Sequence, residues 1–207
     1  MTMKMMKFAG LAALALSVAA CSDTGMATRN APLETLGMGV EGPQVVTRSY
    51  DVKGLQFGTV KDMNVSEGNG YYPFADIVWR GDPMGDRVQQ IATIFDTALT
   101  RGSADLAGSV PVNVEIELVR FHGVTERTRF SVGGVYNMVF MLTVRHAETG
   151  AIIEPPRKIA ANLSAPGGSA AVIAEQKGQT EKVRVTDYLT MVLHDELSGQ
   201  YQTAAAL

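Results

Sequence analysis

The sequence predicts an α+β fold, an antiparallel meander sheet with helices packed on one face. Three observations carry that expectation. Residues 82–102 repeat apolar side chains at helical spacing, residues 110–165 hold three successive strand patterns, and a second helical stripe follows residue 186. Strands joined in succession by short turns pair antiparallel, and an amphipathic helix on either side of them must bury its stripe against the sheet.

A segment of different character comes first. Lys4 and Lys7 precede residues 8–20, a run dominated by Ala and Leu. The run is shorter than the roughly 20 residues a spanning helix needs, and a positive stretch before a short apolar core reads as a signal peptide. At its end, Leu16-Ser17-Val18-Ala19-Ala20-Cys21 resembles the lipobox of bacterial lipoprotein precursors, an aliphatic residue and two small ones ahead of a cysteine. The resemblance implies cleavage before Cys21, a diacylglyceryl thioether on its sulfur and acylation of the new terminus. Several acyl chains anchor a domain where one is marginal, since each buried CH2 contributes about 0.8 kcal/mol. An ordinary secretory peptide is the competing reading. Ser22, rather than Asp, after the cysteine implies the periplasmic face of the outer membrane, with the inner membrane as the alternative.

The expected division is a lipoprotein signal peptide at 1–20, a lipidated cysteine and flexible tether at 21–43, and one α+β periplasmic domain at 44–207. In the tether, Leu33, Leu36, Met38 and Val40 are scattered among Gly, Thr and Pro without a sustained period. A flexible segment of about 20 residues reaches on the order of 25 Å.

Within the domain, residues 45–60 combine β-branched and aromatic residues with Gly54 and Gly58, which suggests a strand pair or a bulged strand. Residues 77–79 are a short extended run. Asp82 and Pro83 have the residue types of a helix cap and first turn. Val88, Ile91, Ala92, Phe95, Ala98 and Leu99 then form a stripe at helical spacing, and Gly102 is placed to end it. From 110 to 121 the even positions Val112, Val114, Ile116 and Leu118 are apolar and the odd ones polar, as in a half-buried strand. From 135 to 145 both sets are largely apolar, which predicts a central strand. The third strand carries Ile159, Ala161, Leu163 and Ala165, and Pro155-Pro156 confine its start to an edge or bulge. A short helix is expected at 170–177, and a last one capped by Thr186 and striped by Tyr188, Leu189 and Val192.

Composition excludes several functions. Lys and Arg number 18 against 21 Asp and Glu, with no basic block, so there is no electrostatic footprint for nucleic acid. Cys21 is the only cysteine, which rules out an intramolecular disulfide and leaves the domain no thiol for metal binding or nucleophilic attack. The three histidines, His122, His146 and His194, have no close ligand spacing, so no metal or cofactor is expected. Glu115 and Glu117 share a strand face and either form a carboxylate pair or, as favoured here, a solvated face with partners such as Arg145. Arg80-Gly81-Asp82 spells an adhesion tripeptide, but the local role of Asp82 accounts for it. The densest aromatic segment is Tyr71-Tyr72-Pro73-Phe74 with Trp79, the single Trp. These rings either close the end of the core, the favoured reading, or form a partner surface of Tyr71, Tyr72 and Trp79.

The segment from Tyr71-Tyr72-Pro73 through Ile77-Val78-Trp79-Arg80-Gly81-Asp82-Pro83 and Gly85-Asp86-Arg87, with Phe121-His122-Gly123, resembles an uncharacterised lipoprotein family of alphaproteobacteria. That family's function is unknown, so the resemblance implies no catalytic residue. More loosely, the element order is similar to small envelope lipoproteins that serve as accessory or assembly subunits of transporters. The expected function is a membrane-anchored lipoprotein held by lipid on Cys21, with a non-catalytic domain binding an envelope partner. The alternative is an envelope hydrolase using His122, His146 and the acidic residues Glu115 and Glu117.

Overall fold

The computed structural model describes residues 44–203. The expected signal peptide, the lipidated Cys21 and the tether lie outside the described residues. The elements are β1 (Val45–Thr47), β2 (Tyr50–Thr59), β3 (Ile77–Val78), α1 (Arg87–Gly102), β4 (Val110–His122), α2 (Glu126–Arg129), β5 (Gly134–His146), β6 (Ile152–Ala165), α3 (Ser169–Gln176), α4 (Glu181–Leu197) and β7 (Gln200–Gln202).

The main sheet runs in the order β2-β4-β5-β6, with β3 also paired to β4. The antiparallel meander holds for β4, β5 and β6 and fails for β2 and β3, which both pair with β4 in parallel. The reason lies in the connection. A tight turn reverses the chain, whereas α1 carries it back to the end where β2 began, so the next strand must run in the same direction. The expected bulge in the first strand is present as a register shift between Val52 and Gly54.

The apolar face of β4 and β5 packs on the stripes of α1 and α4. Val112, Val114, Ile116 and Leu118 of β4, Met138, Phe140 and Leu142 of β5, Ile91 and Phe95 of α1, and Leu189 and Leu193 of α4 share one core. Inside it, Phe95 meets Phe121 at 6.4 Å and Phe140 at 5.1 Å in edge-on contacts, the geometry the ring quadrupoles favour. β5 is central as expected, with Val139 and Thr143 buried on its second face as well.

Helix ends depart from the sequence expectations. Asp86, not Asp82, caps α1 by accepting from the Gln89 N–H at 3.0 Å, because Asp82 is engaged by Trp79 and Lys182. Thr180, not Thr186, caps α4 through the Val183 N–H, and Thr186 lies buried within the helix. Gly102 is the last helical residue of α1, and its role is close approach: a Cβ there would come within 2.6 Å of the Thr190 carbonyl of α4.

The sheet has two distinct ends. At the entry end, β1 pairs with β7, and Arg48 ties this pair to β6 through Glu154. At the far end stand α2, the start of β5 and residues 60–76, which link β2 to β3.

Candidate functional site

The far end carries the densest exposed aromatic surface. Residues 60–76 leave the sheet after β2 and return at β3, and specific bonds fix their backbone. The Thr125 hydroxyl donates to the Gly70 carbonyl at 2.8 Å, and the Thr128 hydroxyl to that of Tyr71 at 3.1 Å. The Arg127 N–H donates to Asn69 Oδ1 at 2.8 Å, and His122 Nε2 lies 3.1 Å from the Pro73 carbonyl. At its root, buried Arg87 holds Glu67 through two bonds of 2.8 and 3.0 Å. The guanidinium beside Glu67 keeps that carboxyl below its usual range, so the pair is ionised at neutral pH.

While the backbone is held inward, the rings point out. Tyr72 is 91% exposed, Phe74 is fully exposed, and Tyr71 is 42% exposed. The Arg127 guanidinium lies 4.5 Å over the Tyr71 ring, and its hydrogen bond draws the phenol below its ordinary pKa. Phe130 and Val132, just past α2, are exposed at the same end. Beneath Phe74 opens a cavity of about 340 Å³ lined by Lys61, Asn64, Asp76 and Arg120. Lys61 pairs with Asp76 at 3.1 Å there.

The aromatic segment therefore divides between the two readings its sequence left open. Trp79 is 0% exposed and packs edge-on against Phe121 at 5.4 Å, so it is a core residue and no part of a partner surface. Tyr71 and Tyr72 do not close the core. The physical difference is local: Trp79 continues the β3 run paired to β4, whereas Tyr71 and Tyr72 lie on the excursion between Gly70 and Pro73.

The residues suggested for catalysis are dispersed. His122 pairs with Asn137 at one end of β4 and His146 with Val112 at the other, roughly 33 Å apart at strand rise. Glu115 is bound by Arg145 Nε at 2.7 Å, the partner its strand face suggested. His194 Nδ1 lies 2.9 Å from the Gly102 carbonyl. Among the described residues, no three His, Cys, Asp or Glu side chains come together as a metal site.

Sequence reasoning missed two buried acids. Glu154 accepts two bonds from Arg48 and one from the Tyr50 hydroxyl at 2.6 Å. Burial pushes its carboxyl up, but the Arg48 and Tyr50 bonds outweigh burial and hold it low. Glu181 accepts from the Tyr136 hydroxyl at 2.8 Å, and its second oxygen has no hydrogen bond, with Arg129 at 3.6 Å. Burial therefore prevails and raises its pKa. Lone acids in otherwise ordinary strand and helix positions gave no signal, because their partners are distant in sequence. α2 was also missed. Its trace is Thr125, whose hydroxyl caps Thr128.

No helix among the described residues is long and apolar enough to cross a membrane. A crystal structure of a Caulobacter crescentus protein, described provisionally as a lipoprotein, is similar with a TM-score of 0.31 and 17% identity, covering 51% of this chain and 78% of that one. A Xanthomonas campestris protein of the DUF330 family is similar with a TM-score of 0.43 and 11% identity, covering 74% of this chain and 83% of its own. No curated protein matches the chain. The family of unknown function DUF6778 matches residues 50–206, from β2 through β7, and the chain belongs to that family.

Proposed function

We propose that this chain is a lipoprotein anchored through Cys21 whose domain performs no catalysis and binds a protein partner in the envelope through Tyr71, Tyr72 and Phe74. The observation that carries the reading is the contrast between a backbone pinned by Thr125, Thr128, Arg127 and His122 and the exposed rings it presents. Rings fixed in advance lose little freedom on binding, and Tyr and Arg are the side chains that most often dominate interfaces. The partner surface that fits has an apolar recess for Tyr72 and Phe74 and acidic groups for Arg127 and Arg120. The separation of His122 from His146 by most of the length of β4, with Glu115 bound by Arg145, supports a non-catalytic role, since acid-base chemistry needs its groups within hydrogen-bond reach of one reacting atom.

The anchor rests on the Cys21 lipobox, and the following Ser22 supports the periplasmic face of the outer membrane. Co-purification from gently solubilised membranes tests the reading. The wild type is expected to bring down a stoichiometric envelope protein that a Tyr72→Ser/Phe74→Ser variant does not. Equal recovery by both removes the tip from the account.

A further inference from the structure

The β2 edge of the sheet is bordered by an open groove. Over Leu55 to Thr59 the only strand paired with β2 among the described residues is β4. The Val60 N–H donates to the Leu118 carbonyl at 3.1 Å, so alternation along the strand turns the backbone groups of Gln56 and Gly58 toward β4 and those of Leu55, Phe57 and Thr59 outward. Among the described residues, these outward N–H and C=O groups have no hydrogen-bond partner.

Helix α1 runs alongside this edge. Between them lie two hollows of about 350 and 230 Å³ that meet at Leu55 and Asp96. Leu55, Phe57, Ala92 and Leu99 supply their apolar lining, and Phe57 is only half-buried although its ring lies 5.5 Å from Phe95. Asp96 stands on the α1 wall, exposed and without an ion pair among the described residues.

We infer that this groove is a binding site for an extended polypeptide segment that adds a strand to β2, with apolar side chains at alternate positions and a basic residue facing Asp96. One wall is a row of backbone donors and acceptors at strand spacing, which only another extended backbone matches along its length. The period of two then sends every other side chain of the added strand into the hollows, where Phe57 and Leu55 offer apolar contact. A compact ligand filling either hollow would leave that row unmatched, at the cost of burying polar groups without partners. The site is separate from the Tyr71 to Phe74 tip and stands independently of it.

The test uses the full-length protein in detergent micelles and phage-displayed random short peptides. The strongest binder, made synthetically, is titrated against the wild type, Ala92→Trp and Thr59→Pro. Ala92→Trp fills the hollow from α1, and Thr59→Pro removes an outward donor that β4 does not use. Enriched peptides are expected to alternate apolar and polar residues with one basic position. Both variants should bind about tenfold more weakly or worse while melting like the wild type. Absence of enrichment, or equal affinity in either variant that melts like the wild type, overturns the site. Sedimentation showing a dimer that Ala92→Trp abolishes assigns the edge to a second copy and also overturns it.

Discussion

The indole Nε1 of Trp79 donates a 2.8 Å hydrogen bond to Asp82 Oδ2, while Lys182 holds the other oxygen of that carboxylate at 2.7 Å. Gly81 lies between them, where a Cβ would come within 2.2 Å of the Trp79 ring. The tripeptide Arg80-Gly81-Asp82 is thus the turn that seats a buried indole and joins the start of α1 to α4. Trp79→Ala should destabilise the domain by about 3–5 kcal/mol, as truncation of core aromatics does. Asp82→Ala should cost about 1–3 kcal/mol by leaving the indole N–H without its acceptor. Denaturant unfolding of both variants checks the order, and an unchanged midpoint for Trp79→Ala would contradict its placement in the core.

Gly102→Ala tests the contact between the two long helices. The added methyl meets the Thr190 carbonyl, which is backbone and cannot rotate away, so α1 and α4 must separate. A loss of about 1–3 kcal/mol is expected, the usual range for overpacking. Thermal melting measures it, and a melt equal to the wild type's would show that the helices are not held this closely.

The two buried acids give stability opposite dependences on pH. Glu154 is held below the ordinary carboxylate range, so its contribution is full above that range and is lost as pH falls through the folded value. For Glu181 burial raises the folded value, so its contribution is full below the ordinary range and is lost as pH rises through the folded value. Glu181→Gln should therefore raise the melting temperature at neutral pH, with the gain vanishing below about pH 4. Glu154→Gln should lower it, more at neutral than at acid pH. Parallel melts across this range decide, and the same slope for both variants would refute the assignment.

What the sequence disclosed depended on how local each feature is. The three antiparallel strands and the stripe of α1 were legible because a period of two or of 3.6 is written in neighbouring residues. The parallel placement of β2 was not, since the pairing of Tyr50 with Val110 is a decision of the whole crossover. Asp82 looked like a cap because it precedes Pro83, and the competing Trp79 and Lys182 are visible only in three dimensions. At the tip, the aromatic cluster was legible. The outward turn of Tyr72, set against the inward turn of Trp79, needed the Thr125 and Thr128 bonds that fix the excursion.

The anchor has its own test. Cys21→Ala should accumulate as an uncleaved precursor, and mass spectrometry of the wild type should find Cys21 as an acylated amino terminus. An unmodified mature terminus at another residue would replace the lipoprotein reading with ordinary secretion.

The most direct measurement of partner recognition pairs stability with capture in one variant. Tyr72 and Phe74 are exposed, so Tyr72→Ser/Phe74→Ser should melt within about 0.5 kcal/mol of the wild type. The same variant, solubilised gently from membranes, should lose the envelope protein that the wild type retains. Unchanged melting with unchanged capture would contradict the account and leave residues 68–74 an ordinary surface loop.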